Sequence, residues 1–362
     1  DDTVAWHEND GTESFTTHKI TTSADYASSV YAADVDSDGD MDVLSASRDD
    51  DTVAWYENDG SENFTTHQIT TSADLAYSVY AVDVDGDEDV DVLSASQGRG
   101  LNTGAVVWYE NDGSEIFTSH IITGSADVAV SVYAADVDSD GDMDVLSASI
   151  RDDTIAWYEN DGRESFTKHA ITTSADGATS VYAADVDGDG DVDVLSASQH
   201  DDTVAWYEND GSESFITHKI TTSADEAYSV YATDVDGDGD IDVLLASVGD
   251  DTAAWYENDG SENFTAHTIT TTADAANSVH AADVDGDGDM DVLLASGMDD
   301  TVAWYENKSS SRTGDGVVKY QVAANESAEQ RTGTITVAGK THTVIQAGAA
   351  VLAKPVITSQ ES

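Results

Sequence analysis

The segment Ser29–Thr70, SVYAADVDSDGDMDVLSASRDDDTVAWYENDGSENFTTHQIT, contains four short runs rich in Val, Ile, Thr, Tyr and Trp. SVYAADV (Ser29–Val35), DVLSAS (Asp42–Ser47), TVAWYEN (Thr52–Asn58) and FTTHQIT (Phe64–Thr70) read as β-strands a, b, c and d. The Asn58-Asp59-Gly60 step after strand c suits a tight hairpin connection, because Gly and Asn tolerate left-handed backbone. No stretch carries a sustained 3.6-residue apolar period. A single proline, Pro355, leaves the predicted ladders unbroken.

The same unit recurs along the chain. Tryptophans stand at Trp6, Trp55, Trp108, Trp157, Trp206, Trp255 and Trp304, at steps of 49 except for one of 53. The longer step comes from an insertion around Gly98–Gly104. Four antiparallel strands in each unit of 40–50 residues point to an all-β fold, a β-propeller of four-stranded antiparallel blades. One blade cannot bury both of its faces, whereas a closed ring of blades buries them and hides most edges. A β-solenoid is the competing architecture, but its coils are shorter. Segments a, b and d occur six times and c seven times. Three further β-like runs lie in the tail, at Val317–Ala324, Gly333–Gly339 and Thr341–Gly348. Together they make 28 strands, so seven blades are favoured over six. Residues 1–307 are expected to form the propeller. Residues 308–362 are expected to close it or to form a module of their own.

Composition narrows the function. The 362 residues include 13 Lys and Arg against 74 Asp and Glu, a formal charge of −61. Phosphate backbones and anionic membranes require clustered cations, so nucleic-acid binding and membrane docking are not expected. The absence of cysteine removes disulfides, zinc–thiolate sites and thiol chemistry. At 39% hydrophobic residues the chain can fill a core. No apolar run reaches the ~18 residues that span a bilayer. The opening DDTVAWHEND lacks a signal-peptide pattern, so a mature or excised product is expected.

The strongest chemical signal lies between strands a and b. Carboxylates occupy positions 1, 3, 5, 7 and 9 of six loops. They are Asp34, Asp36, Asp38, Asp40 and Asp42; Asp83, Asp85, Asp87, Asp89 and Asp91; and Asp136, Asp138, Asp140, Asp142 and Asp144. The remaining three loops hold Asp185, Asp187, Asp189, Asp191 and Asp193; Asp234, Asp236, Asp238, Asp240 and Asp242; and Asp283, Asp285, Asp287, Asp289 and Asp291. Ca2+ takes six to eight oxygens at about 2.3–2.6 Å, and alternate residues of a tight loop can aim their carboxylates at one centre. Five carboxylates in nine residues otherwise repel one another, which disfavours plain solvated turns. Position 7 is expected to offer its backbone carbonyl. An EF-hand is excluded because its position 12 needs Glu, and Ser45, Ser94, Ser147, Ser196, Leu245 and Leu294 stand there. Position 6 is glycine in five loops and Glu88 in the second, so that site is expected to be the weakest of about six calcium sites. Mg2+ is disfavoured because it parts reluctantly with its waters.

These residues resemble the FG-GAP/VCBS repeat family, whose bacterial members often carry VAWYENDG phrases. The resemblance covers about residues 1–307 and implies a calcium-binding propeller of the integrin-α-head plan, commonly seven-bladed. It implies calcium held by positions 1, 3, 5 and 9 with the position-7 carbonyl. In the last loop these are Asp283, Asp285, Asp287 and Asp291, with the carbonyl of Asp289; Glu88 and the half-repeats at both ends depart from the pattern. The tail KYQVAANESAEQRTGTITVAGKTHTVIQAG (Lys319–Gly348) resembles the latter half of a BACON-type, immunoglobulin-like module found in secreted bacterial proteins.

Other residues invite chemistry. The tryptophans suit blade packing better than sugar stacking. His18, His67, His120, His169, His218 and His267 recur in segment d and are spread around the ring rather than gathered, while His7, His200 and His280 stand apart. No G-x-S-x-G, H-E-x-x-H or P-loop occurs. The sequons at Asn63, Asn263, Asn307 and Asn325 read as chance. Repeats differ most in the b–c loop and just after Ala-Asp, at Tyr26, Leu75, Val128, Gly177, Glu226 and Ala275. The Gln97–Gly104 insertion with Arg99 is the favoured place for a ligand. The expected function is a secreted, calcium-binding, non-catalytic binding or structural module with an extracellular glycan or protein ligand. A subunit of an extracellular filament or surface assembly, pairing through tail strands, is the first alternative. A polysaccharide lyase or hydrolase is the second.

Overall fold

A computed structural model describes residues 2–308, except 13, 164 and 213, together with the backbone of 331–337, 340–346 and 356–358. The chain divides into two compact units, Asp1–Ser310 and Ser311–Ser362.

The first unit is a propeller of six blades and one hairpin. The hairpin pairs β1 (Val4–Asn9) with β2 (Phe15–Thr21). Blade 1 is β3 (Ala27–Ala33), β4 (Asp42–Ser47), β5 (Thr52–Asn58) and β6 (Phe64–Thr70), antiparallel in that order. Blade 2 is β7 (Ala76–Val82), β8 (Asp91–Ser96), β9 (Ala105–Asn111) and β10 (Phe117–Thr123). Blade 3 is β11 (Ala129–Ala135), β12 (Asp144–Ser149), β13 (Thr154–Asn160) and β14 (Phe166–Thr172). Blade 4 is β15 (Ala178–Ala184), β16 (Asp193–Ser198), β17 (Thr203–Asn209) and β18 (Phe215–Thr221). Blade 5 is β19 (Ala227–Thr233), β20 (Asp242–Ser247), β21 (Thr252–Asn258) and β22 (Phe264–Thr270). Blade 6 has three strands, β23 (Ala276–Ala282), β24 (Asp291–Ser296) and β25 (Thr301–Tyr305).

Among the described residues there are therefore six blades, the number the sequence allows, rather than the favoured seven. The seventh needed tail strands, but β26 (Arg331–Val337), β27 (Lys340–Gln346) and β28 (Val356–Thr358) pair with one another in a sheet of their own. The expected run Val317–Ala324 lies outside the described residues. The β1–β2 hairpin seats between the last and first blades. Asn9 Nδ2 donates to the Val284 carbonyl at 2.7 Å, and Phe15 meets Trp304 edge-on. On its other side Val4 packs with Ala54 and Tyr56 of blade 1.

Blades 1 to 4 bury their tryptophans, whereas Trp255 and Trp304 of blades 5 and 6 are only partly buried. Trp55, Trp108 and Trp157 have no exposed surface, and Trp206 is 1% exposed. Trp55 meets Phe117 of blade 2 edge-on, and Trp108 meets Phe166 of blade 3. Burying such side chains stabilises each interface by ~2–3 kcal/mol per aromatic. Tyr31, Tyr80, Tyr133, Tyr182 and Tyr231 form an aromatic collar on the inner strands, which His280 completes against Tyr231. Val79, Val132, Val181, Val230 and Val279 are buried under the preceding inner strand. Val30, with only the hairpin before it, is 58% exposed.

Candidate metal centres

The acidic loop is positioned by its two flanking strands. Strands β3 and β4 pair out to Ala33↔Asp42, so the intervening residues must reverse direction at one end of the blade. Reversal needs left-handed backbone at two positions. Gly39, at position 6, has φ +95°, and Ser37, at position 4, has φ +59°. Glu88 keeps the same turn at φ +76°, so the second loop retains its path at the cost of strain in a non-glycine residue.

The carboxylates then fold the loop around themselves. Asp34 Oδ2 accepts the Gly39 amide at 3.0 Å, Asp36 Oδ1 that of Asp38 at 3.2 Å, and Asp38 Oδ1 that of Asp40 at 2.9 Å. Asp42 is fully buried and accepts Val35 N at 3.0 Å and Asn58 N at 2.7 Å. Positions 1, 3 and 9 thereby converge. Oxygens of Asp34, Asp36 and Asp42 lie within 4.8 Å of one another, as do those of Asp83, Asp85 and Asp91. The same spacing holds for Asp136, Asp138 and Asp144; for Asp185, Asp187 and Asp193; and for Asp234, Asp236 and Asp242. In the sixth loop Asp291 accepts Val284 N and Asn307 N, and Asp283 accepts Gly288 N, as in the others.

Position 5 stands close by, since Asp38 raises the pKa of both Asp36 and Asp42. Position 7 points elsewhere. The carboxylates of Asp40, Asp89, Asp142, Asp191 and Asp240 lie against the turn glycines Gly60, Gly113, Gly162, Gly211 and Gly260, where a Cβ would strike them.

Burial sets the electrostatics. Desolvation pushes Asp91 and Asp193 up to about 7, and Asp144 and Asp242 up to about 6, against the pull of two backbone N–H donors each. It also raises Asp138, Asp187 and Asp236, helped by the neighbouring carboxylates. A buried carboxylate left charged without a cation is costly.

The donor set fits calcium. Hard oxygens surround one point, and Asp34 Oδ1 and Asp136 Oδ1 are buried with no hydrogen-bond partner. Both belong to loops with serine at position 4. Where glycine stands there, its amide occupies the equivalent oxygen, as with Gly86 N to Asp83 Oδ1 at 2.8 Å and Gly237 N to Asp234 Oδ1 at 2.7 Å. A bound cation would complete the unpaired oxygens.

Sequence reasoning missed the asparagine that ends each c strand. Asn111 Nδ2 donates to Val35 O of the preceding blade and to Val90 O of its own acidic loop, both at 3.2 Å. Asn160, Asn209 and Asn258 repeat this bridge. The signal was present in the Glu-Asn pair that closes all seven copies of the phrase. The histidines of strand d do not gather. His67 stacks on Trp55 at 4.5 Å and meets Glu57 at 2.7 Å, and His120, His169, His218 and His267 do likewise in their own blades. Arg99 of the insertion bridges Asp51 at 2.6 Å and Asp74 at 3.5 Å.

Compared with known families, the chain matches the FG-GAP-like repeat at residues 1–45, 34–94, 83–147, 136–196, 185–245 and 234–294. No curated protein matches it. Among solved structures it is similar to a candidate 6-phosphogluconolactonase from Bacteroides uniformis ATCC 8492. That likeness has 14% identity and a TM-score of 0.56 over 81% of this chain and 85% of that one, and is one of fold alone. A functionally unknown protein from Desulfotomaculum acetoxidans DSM 771 is similar at 13% identity and a TM-score of 0.49, over 72% of this chain and 77% of that one.

Proposed function

The chain belongs to the FG-GAP-like repeat family, and from that premise we propose that it is an extracellular, calcium-stabilised propeller acting as a non-catalytic binding module. One observation carries the reading: in each of five loops, three carboxylates, one of them fully buried, bring oxygens within 4.8 Å of one another. Positions 1, 3 and 9 would hold the ion, position 5 would stand beside it, and the ion would supply charge neutralisation rather than a reaction step.

Calcium at extracellular modules binds with a dissociation constant of roughly 10⁻⁴–10⁻³ M. At about ten times that constant each site adds about 1.4 kcal/mol, and six add about 8 kcal/mol. That sum is comparable to a domain's whole stability of about 5–15 kcal/mol. Outside the cell such concentrations of calcium occur, and salt screens the self-repulsion of a −61 chain. No helix among the described residues is long and apolar enough to cross a membrane. A non-catalytic role is supported by the strand-d histidines, each committed to a tryptophan and a glutamate of its own sheet. The test is calcium titration of the full chain by calorimetry: binding at several sites is expected, and no heat of binding up to 10 mM, on the order of the weakest modules, would overturn the reading.

A second reading, a subunit of an extracellular assembly, is favoured by blade 6. Among the described residues β25 carries no fourth strand, and Val302 on it is 64% exposed where its counterpart Val204 is fully buried. An open edge of this kind can accept a strand from a neighbouring molecule. Light scattering of the calcium-loaded chain decides: a monomer at all concentrations would defeat the assembly.

A further inference from the structure

Six near-identical repeats in one chain provide their own internal comparison. The residue after Ala-Asp differs in every repeat: Tyr26, Leu75, Val128, Gly177, Glu226 and Ala275. Two residues later, on the inner strand, stand Ser28, Tyr77, Val130, Thr179, Tyr228 and Asn277. The first residue after strand b is Arg48, Gln97, Ile150, Gln199, Val248 or Gly297. These variable positions meet in space. Arg48 N donates to Tyr26 O at 3.0 Å, Gln97 N to Leu75 O at 3.1 Å, and Ile150 N to Val128 O at 3.0 Å. They lie at the opposite ends of strands a and b from the acidic loops, so variation gathers on the face away from the metal centres.

The first of these positions is also strained. Tyr26, Leu75, Val128, Glu226 and Ala275 all have φ between +52° and +64°. Only Gly177 adopts such backbone without cost. Side chains are thus kept where glycine would serve the fold better, which is a mark of sites held for use.

At the centre of this face the inner strands enclose a funnel of about 420 Å³. Ser29, Ser78, Ser131, Ser180, Ser229 and Ser278 ring it. The first five accept the amide of the next blade's valine at 3.2–3.3 Å. Accepting leaves each of these five hydroxyls its own O–H to donate. Tyr77 and Tyr228, from blades 2 and 5, meet hydroxyl to hydroxyl across it. Beside them the Arg48 guanidinium lies 5.0 Å over the Tyr26 ring, and its buried Nε has no acceptor.

We propose that this funnel mouth binds a neutral sugar residue, an inference that rests on the binding-module reading and names its ligand class. Its size falls in the range of about 300–1,000 Å³ usual for small-molecule sites. Serine hydroxyls donate and accept, as a polyol requires, and tyrosine rings offer flat apolar faces with a polar tip. Ser28, Thr179 and Asn277 add further polar groups to the lining. The chain's large negative charge repels acidic polymers, which favours an uncharged sugar. The ligand would part the Tyr77–Tyr228 contact and take over both hydroxyls.

The test uses the full chain in calcium on an array of immobilised neutral, uronic and sulfated glycans, followed by titration of the best-retained neutral oligosaccharide. Retention of a neutral class is expected. Tyr77→Ala and Tyr228→Ala should each weaken binding tenfold or more, and the Phe variants less. Asn277→Ala, at a half-buried residue of the funnel lining, serves if a tyrosine variant fails to fold, and should weaken binding several-fold. Thr66→Ala, on the outer strand β6, should change nothing. Retention of no neutral glycan, preference for acidic ones, or affinity indifferent to the mouth variants would overturn the proposal. A calcium-dependent melt of the same samples separates the two readings: a normal calcium response without sugar binding sinks this inference alone.

Discussion

Asp42 Oδ1 accepts the amide of Asn58 at 2.7 Å, tying the last carboxylate of an acidic loop to the end of the strand that carries Trp55. The bond recurs as Asp91–Asn111, Asp144–Asn160, Asp193–Asn209, Asp242–Asn258 and Asp291–Asn307. Each asparagine from Asn111 onward also reaches the preceding blade. An ion held in a loop would thereby act on the interface between blades.

Removing one inner carboxylate should act only when calcium is present. Asp187 accepts the Asp189 amide at 3.1 Å, a bond that Asn can keep through its carbonyl oxygen. Asp187→Asn should lose about 1.4 kcal/mol in saturating calcium, one site's share. In chelator it should be neutral or slightly stabilising, because it also relieves repulsion from Asp185 and Asp189. Chemical denaturation of both proteins in both buffers checks this; equal losses in the two buffers would speak against calcium at that loop.

The pH dependence should reverse with calcium. Asp91 and Asp193 near 7, and Asp144 and Asp242 near 6, lie above the usual 3.8 because burial disfavours their charged forms. Without calcium the folded chain holds more protons than the unfolded one between those values. Their contribution is complete below about 4 and is lost as pH rises through 6 to 7. Calcium needs the deprotonated groups, so its stabilisation grows through the same window. Melting temperatures in calcium and in chelator should converge on going from pH 8 to pH 5. A gap that stays constant would contradict the assignment.

Glu88→Gly should stabilise the second blade. Glu88 sits at φ +76° where Gly39 and Gly141 sit at +95° and +98°. Relief of left-handed strain is worth about 1–2 kcal/mol, less the larger unfolded-state entropy of glycine, for a net gain of about 0.5–1 kcal/mol. The denaturation midpoint should rise with its slope unchanged. A fall would mean that Glu88 makes a contribution of its own.

The tryptophan and its histidine should differ sharply in weight. Trp157 is fully buried between blades, and Trp157→Ala should cost about 3–5 kcal/mol. His169 stacks on it at 4.6 Å from a partly open position, and His169→Ala should cost about 1 kcal/mol without changing calcium affinity. Calorimetric melts with calcium titration measure both.

Much of this was legible in the sequence because the repeat states it six times. In blade 1 strands b, c and d begin and end where the residue pattern places them. Strand a is shifted two residues earlier, Ala27–Ala33 rather than Ser29–Val35, because a bulge lets Ala27 pair with Ser47 and the acidic loop begins at Asp34. Blade number was not legible, since counting strands cannot say which of them pair, and the tail strands pair together. In the acidic loop, the position-7 side chain is expected to stand apart from the other four, but where it goes was not legible. Asp40 turns to Gly60, a neighbour twenty residues away that spacing within the loop does not reveal. The mouth tyrosines Tyr77 and Tyr228 were passed over because they meet only when blades 2 and 5 face each other.

Scanning calorimetry of the full chain, once in 10 mM calcium, on the order of ten times the weak-site constant, and once in excess chelator, tests the central claim most directly. With about 8 kcal/mol assigned to the six loops, the melting temperature should fall by about 10 °C or more when the ion is removed. Superimposable melts would contradict it.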